Sequence, residues 1–161
     1  MSNEQLVYNA GIDLGMPDVV ARLLVAQAKH ESADFTSTVF KVNNNAFGYK
    51  YVGQSGAWKG SKAPANEGGY YAAYTSVYDS AKEVVRWWQR RIKEGKVSGW
   101  DAIAATDSYA AALKVNGYYG DSLSNYTLAL GRWLGTVSVG NVALVASPLL
   151  LLLLAYLLFK L

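Results

Sequence analysis

The chain has 161 residues, with 15 lysines and arginines against 12 aspartates and glutamates, and a net charge of +3. It has no cysteine, which excludes disulfides, thiolate-bound metals and cysteine nucleophiles. His30 is the single histidine, so a histidine-rich metal site is excluded too, and we expect neither a metal nor another cofactor. The length suits one domain of ordinary size.

Helical and irregular patterns alternate along the first 136 residues. A short helix is predicted from Asn3 to Asp13, and a second from Pro17 to about Ser32, where apolar residues recur three and four positions apart. Lys41 to Gly69 is rich in asparagine and glycine, which is typical of an irregular lobe with a small hairpin. Further helices are predicted at 80–93, 100–105, 109–114 and 125–134. The pattern indicates an α+β fold that is mostly α, with one small irregular β lobe.

An apolar segment follows this predicted head. Residues 142–159 carry no charge, and about 20 apolar residues in a helix suffice to cross a bilayer. We therefore divide the chain into a head, residues 1–136, and a single C-terminal transmembrane helix, residues 137–161, which anchors it in a lipid bilayer. A buried core helix is the alternative, but a head of this size could hardly cover so apolar a segment on every side.

Cationic residues cluster in the second half of the head, where five fall within eleven positions: Arg86, Arg90, Arg91, Lys93 and Lys96. Such a patch can contact DNA, anionic lipid or an anionic polymer. The plainer alternative is a solvated helix face near a membrane. Because no nucleic-acid-binding motif accompanies the patch, no nucleic-acid partner is expected.

Glu31 is the carboxylate with the most unusual predicted surroundings. It continues the apolar face of the second helix and lies at the negative end of that helix, and both effects raise its pKa. A carboxylic acid that stays protonated near neutral pH is what a glycosidase needs to protonate the leaving oxygen. The alternative is an ordinary helix-end glutamate paired with Lys29 or an arginine.

Four short motifs occur in order along the head. They are Gln27-Ala28-Lys29-His30-Glu31-Ser32, Asn44-Asn45-Ala46-Phe47-Gly48, Tyr71-Ala72-Ala73-Tyr74-Thr75-Ser76, and Val115-Asn116-Gly117-Tyr118 followed by Asp121 and Tyr126. Together they resemble the glucosaminidase family of bacterial cell-wall hydrolases, glycoside hydrolase family 73, over roughly residues 17–134. The resemblance implies a lysozyme-like fold, and cleavage of the N-acetylglucosaminyl-β-1,4-N-acetylmuramic acid bond in peptidoglycan glycan strands.

The resemblance also implies roles for individual residues. Glu31 corresponds to the general acid and Tyr118 to an active-site tyrosine. The predicted substrate-binding residues are Asn45, Phe47 and Gly48 at the cleft floor, with Tyr74 and Tyr126 in its aromatic framework. Core packing is the alternative for those last two tyrosines.

Two positions depart from the family pattern or match it only loosely. Ala33-Asp34-Phe35 stands where many members have Gly-Trp-Gly, so the turn after the acid must be built differently. Glu67 is the only acidic residue between Asp34 and Asp79, which makes it the candidate for a second catalytic carboxylate that activates water. Alternatively, Glu67 lies on a plain surface loop and has no catalytic role.

Other functions stay open at this stage. The same fold could serve a lysozyme or a lytic transglycosylase, or a catalytically inactive, membrane-attached structural or wall-binding protein. The N-terminal residues lack the basic and apolar regions of a secretory signal, so the head is expected on the cytoplasmic side of its membrane. Because that side lacks peptidoglycan, we expect the protein in the internal membrane of a bacteriophage virion, serving entry, or otherwise in the host envelope, serving lysis.

Overall fold

A computed structural model describes residues 1–140 of the protein. Its helices are α1 (Asn3–Asp13), α2 (Asp18–Glu31), α3 (Thr38–Asn43), α4 (Val77–Lys93), α5 (Thr106–Val115) and α6 (Leu123–Leu134), with a 3₁₀ turn at Trp100–Ile103. Two strands, β1 (Trp58–Lys62) and β2 (Tyr70–Ala73), form an antiparallel sheet. The described part is thus a mostly helical α+β fold with a small sheet, which confirms the predicted class.

Helix α2 lies at the centre of this fold. It packs against α1 and α6, and α4 also packs against α1. Most α2 side chains from Val20 to Lys29 are buried, which is expected for a central helix whose sequence is apolar on nearly every face. Near its end, Gln27 accepts a 2.7 Å hydrogen bond from the Tyr109 hydroxyl, which in turn accepts one of 3.1 Å from Trp88 Nε1. These buried bonds fix the end of α2 relative to α4 and α5.

A small lobe is inserted between α2 and α4. Asn43, the last residue of α3, donates a 2.7 Å hydrogen bond to Ser61 Oγ on β1 and accepts one of 2.9 Å from the Ser61 amide. A side chain at Gly60 would collide with Asn43 Oδ1 and the Tyr71 carbonyl, so glycine is required there. The predicted hairpin is therefore present. Helix α3 was not predicted, because its six residues are too few to establish a helical period.

Residues 137–140 extend from α6 to the start of α1. The Ser138 amide donates a 2.6 Å hydrogen bond to Glu4 Oε2, and the Gly140 amide donates one of 3.1 Å to Gln5 Oε1. Within residues 1–140, no helix is both long enough and apolar enough to cross a membrane. Most of the predicted anchor, residues 141–161, lies outside the described residues, so the transmembrane helix stays a prediction.

Candidate active site

A cleft of about 580 Å³ opens where the end of α2, the loop after α3, α4 and the loop after α5 meet. Its lining residues are Glu31, Phe47, Gly48, Tyr49, Lys50, Val52, Gln54, Glu83, Trp87, Arg90, Arg91, Asn116, Gly117, Tyr118 and Tyr119. The structure thus brings four residues of the predicted site together around one space: Glu31, Phe47, Gly48 and Tyr118. Among residues 1–140, no group of three acidic or histidine side chains is placed to hold a metal ion.

Glu31, the last residue of α2, is half-buried at the edge of the cleft. Its Oε1 accepts a 2.7 Å hydrogen bond from the hydroxyl of Tyr126 on α6. Burial raises the pKa of the Glu31 carboxyl above its ordinary value, while the Tyr126 hydrogen bond and the nearby His30 act in the lowering direction. Burial dominates, so the carboxyl holds its proton to a higher pH than an exposed glutamate.

Lys29, one of the alternative ion-pair partners for Glu31, is engaged elsewhere. Its buried ammonium pairs with Glu4 and, at 3.3 Å, with Asp34. Asp34, the other carboxylate close to Glu31 in sequence, is occupied by the same contact. Glu31 has no ion pair with any described residue, so no such pair offsets the desolvation that raises its pKa.

The turn after Glu31 is built from Ala33-Asp34-Phe35, where many members of the family that the sequence resembles have Gly-Trp-Gly. Ala33, Asp34 and Phe35 all adopt left-handed conformations, with φ of 50°, 55° and 61°. Each costs about 1–2 kcal/mol for a residue with a side chain. Ser32 Oγ holds the turn, since it accepts a 2.8 Å hydrogen bond from the Phe35 amide and donates one of 2.6 Å to the Ala28 carbonyl.

Asn45 shapes the cleft floor from below. It is buried, and its Nδ2 donates hydrogen bonds of 2.8 Å to the carbonyls of both Tyr49 and Ala72. Its Oδ1 accepts from the amides of Phe47 and Tyr49, at 3.3 and 3.1 Å. These four bonds fold the loop so that Phe47 and Gly48 line the cleft, with Gly48 in the left-handed region at φ 65°. Asn45 itself is not among the lining residues.

Tyr118 closes the cleft from the loop after α5. Its hydroxyl donates a 3.1 Å hydrogen bond to the Phe47 carbonyl, which ties this loop to the cleft floor. Burial first, and the charge of Glu31 second, raise the pKa of the Tyr118 phenol well above its ordinary value. The phenol therefore stays neutral across the physiological range, and it can donate a hydrogen bond.

The other two tyrosines of the predicted site lie deeper. Tyr126 is buried, stacks on Tyr119 with ring centroids 3.8 Å apart, and approaches the cleft through its bond to Glu31. Tyr74 is also buried, and it lines a separate depression of about 180 Å³ beside α4. Burial raises the pKa of Tyr74 to about 12. Neither tyrosine is among the residues that line the main cleft.

Glu67 lies on the exposed turn between β1 and β2. Its carboxylate is 2.6 Å from Lys50 Nζ and accepts a 3.1 Å hydrogen bond from the Tyr71 hydroxyl. The hydrogen bond from Lys50, followed by that from Tyr71, holds the pKa of Glu67 below its ordinary value, so Glu67 is ionised. Lys50 lines the cleft, whereas Glu67 does not.

Helix α4 supplies lining residues that the sequence analysis missed as site residues. Glu83 is a second carboxylate in the cleft wall, 3.3 Å from Arg90 Nη2, and Trp87 lies between them on the same helix. Their positions differ by four and three, which places all three on one helix face. That spacing is visible in the sequence, and it would have identified them once α4 was known to border the cleft.

Comparison with known proteins identifies a family for this chain. The family model for glucosaminidase, described as mannosyl-glycoprotein endo-beta-N-acetylglucosaminidase, matches residues 14–132. That range contains every residue that lines the cleft. No curated protein and no solved structure matches the chain. The chain therefore belongs to the glucosaminidase family and is a glycoside hydrolase that acts on peptidoglycan.

Proposed function

We propose that the protein is an endo-β-N-acetylglucosaminidase that cleaves the β-1,4 bond between N-acetylglucosamine and N-acetylmuramic acid. The observation that supports this most directly is the Glu31 carboxyl at the cleft edge, with its pKa raised by burial. Glu31 donates its proton to the glycosidic oxygen as the bond from that oxygen to the sugar C1 breaks. The oxygen keeps the bonding electrons and leaves as a hydroxyl, and Glu31 becomes a carboxylate next to Tyr126.

Glu67 is our candidate for the carboxylate that then activates water. It is ionised, as a base must be, and its partner Lys50 already lines the cleft. In this proposal the turn between β1 and β2 moves toward the bound glycan, and Glu67 leaves Lys50. The oxygen of the attacking water then bonds to C1, and Glu67 accepts the proton that this water loses. Glu83 is the competing carboxylate because it lines the cleft without any such movement.

The remaining predicted residues hold the substrate or the groups that touch it. We assign direct contact with the glycan to Phe47, Gly48 and Tyr118, which line the cleft. The other three predicted binding residues act through residues that line it. Asn45 acts through the loop of Phe47 and Gly48, and Tyr126 acts through Glu31. Tyr74 acts through Glu83, with which it lines the depression beside α4.

Digestion of purified peptidoglycan with the full-length protein tests the reaction. Mass spectrometry of the products should show reducing N-acetylglucosamine ends. Reducing muramic ends would instead indicate a lysozyme, and anhydro-muramic ends a lytic transglycosylase. Glu31→Gln should lower cleavage by about 10²–10⁴-fold while binding to the wall is retained. Equal wall clearing by Glu31→Gln and the wild type would refute the assignment of Glu31.

Residues 137–140 belong to the head, since they bond to α1. For its location, we propose that the apolar segment after them anchors the protein in the internal membrane of a phage virion, where it would serve entry. The uncharged run at 142–159 supports the anchor, since its length suits a bilayer. Detection of the protein in purified lipid-containing virions would support this location. Its presence in the host envelope alone would refute the virion assignment and favour a role in lysis.

A further inference from the structure

The active-site cleft continues in both directions along α4. On one side it shares Val52, Gln54, Glu83 and Arg90 with an adjoining depression of about 550 Å³. On the other side it shares Arg91, Asn116 and Gly117 with a depression of about 540 Å³. The three sections therefore form one groove with Glu31 in its middle section, which we call the α4 groove.

The wall of the α4 groove carries a net positive charge. Among residues 1–140 its lining carboxylates are Glu31 and Glu83, and its lining cations are Lys50, Arg86, Arg90, Arg91 and Lys96. Burial shifts Glu31 toward its neutral form. Glu83 pairs with Arg90 at 3.3 Å, and Glu67 pairs with Lys50 at 2.6 Å. Glu94 pairs with both Arg91 and Lys96, at 2.9 and 3.0 Å. The five cations and these three carboxylates leave an excess of two positive charges. A groove that accepted only an uncharged sugar chain would gain nothing from this excess of positive charge.

Arg91 is the cation most suited to bind a ligand. Its guanidinium lies 5.1 Å from the centre of the Trp87 ring, which restricts its orientation, and Nη1 contacts Glu94 at 2.9 Å. Its Nε is buried, and no described residue accepts a hydrogen bond from it. Nη2 donates no hydrogen bond to a described residue, so it is the amino group that can donate a charge-assisted hydrogen bond to a carboxylate in the groove.

Arg86 extends the cationic wall one helical turn away from Arg90. Its side chain is exposed in the adjoining depression, beside Gln54 and Ser55. Arg86 therefore lies in the section on one side of Glu31, whereas Arg91 lines both the middle section and the section on the other side. Two anionic groups spaced along one glycan strand could contact them at the same time.

We propose that the α4 groove binds carboxylates carried by the peptide substituents of the glycan, with Arg91 and Arg86 as the recognising residues. This rests on the proposed function, because it assumes that the strand lies along the groove with its scissile bond at Glu31. The neutral sugar backbone supplies the bond to be cut, and the anionic peptides select the strand that is bound.

Binding of the full-length protein to purified sacculi tests this, with Glu31→Gln as the background so that the wall stays intact. Arg91→Gln and Arg86→Gln should each weaken binding about fivefold, and the double variant about 20-fold. Arg91→Lys should restore part of the loss, since it keeps the charge without the planar guanidinium. Lys93→Gln is the matched control, because it removes a cation of α4 that does not line the groove, and it should bind like the background.

Chemical modification of the sacculi identifies the ligand group. Amidation of the peptide carboxylates should weaken binding of the background protein and abolish its difference from the arginine variants. Removal of the peptides with an amidase leaves a lactyl carboxylate on each muramic acid. Loss of the peptides should weaken binding as well. Full binding to these trimmed strands would overturn the peptide assignment. Equal binding of all variants to native sacculi would overturn the groove itself, whereas cleavage that persists in Glu31→Gln would refute the proposed function instead.

Discussion

Replacement of Tyr126 by phenylalanine should raise the pKa of Glu31. The Tyr126 hydroxyl donates a 2.7 Å hydrogen bond to the carboxylate, and among the contacts that lower the pKa of Glu31 it has the largest effect. A hydrogen bond to a charged group contributes about 1.5–3 kcal/mol, and 1.36 kcal/mol corresponds to one pKa unit. With allowance for partial exposure of the carboxyl, we expect a rise of about one unit. Catalysis requires the protonated acid, so the alkaline limb of the pH–activity profile should move to higher pH by the same amount.

The measurement has two independent arms. NMR titration of the Glu31 side-chain carboxyl reports its pKa without reference to catalysis, and peptidoglycan cleavage across the pH range reports the alkaline limb. Tyr119→Phe is the matched control, because Tyr119 stacks on Tyr126 but donates its hydrogen bond to the Ala110 carbonyl. A pKa of Glu31 that stays constant or falls in Tyr126→Phe would refute the role of this bond. A raised pKa with an unmoved alkaline limb would refute Glu31 as the acid.

Three further substitutions test the fold around the site by urea unfolding. Glu31→Gln should increase the free energy of unfolding at pH 7, because a carboxyl with a raised pKa opposes folding when ionised. The gain should vanish below about pH 4.5, where the wild-type carboxyl is protonated in both the folded and the unfolded state. A gain that persists below that pH would contradict this cause. Ala33→Gly should stabilise by about 0.5–1 kcal/mol, since glycine adopts a positive φ without strain, and a loss of stability would contradict that strain. Asn45→Ala should lower the free energy of unfolding by about 2–4 kcal/mol, because it leaves the buried Tyr49 and Ala72 carbonyls without their hydrogen bonds. A change below about 1 kcal/mol would show that water replaces the amide.

Glu31 could be predicted from the sequence because its special position is local. The residues close to Glu31 in sequence indicate both the helical period of α2 and the end of that helix. Its hydrogen-bond partner is 95 positions away on α6, so the pattern could not show which group would meet the carboxyl. The resemblance placed Tyr126 in the site, but its bond to Glu31 is a property of how α2 and α6 pack.

Helix α4 shows the opposite case, in which a correct secondary-structure prediction did not reveal the function. The sequence predicts this helix from its inward residues, such as Ala81 and Trp88, and its charged face is typical either of a patch that binds an anion or of a solvated surface. Only packing decides which part of that face borders a cleft. In the structure the strip with Glu83, Trp87 and Arg91 lies beside Glu31, whereas Lys93 of the same cluster does not line the groove.

The neighbourhood of Glu31 combines several features that oppose stability. The carboxyl is partly removed from water without an ion pair among the described residues, and the three residues from Ala33 to Phe35 are left-handed. A strained backbone conformation persists only where surrounding contacts hold it in place. Ser32 provides such contacts through the hydrogen bonds of its side chain. Its carbonyl adds two more, which it accepts from the Thr36 and Ser37 amides at 3.1 and 2.9 Å. The turn ends α2 immediately after the acid, so the carboxyl stands at the helix end instead of inside the packed core. Strain in the turn and the raised pKa are therefore two consequences of a single placement, that of a carboxyl buried enough to keep its proton and still open to the cleft.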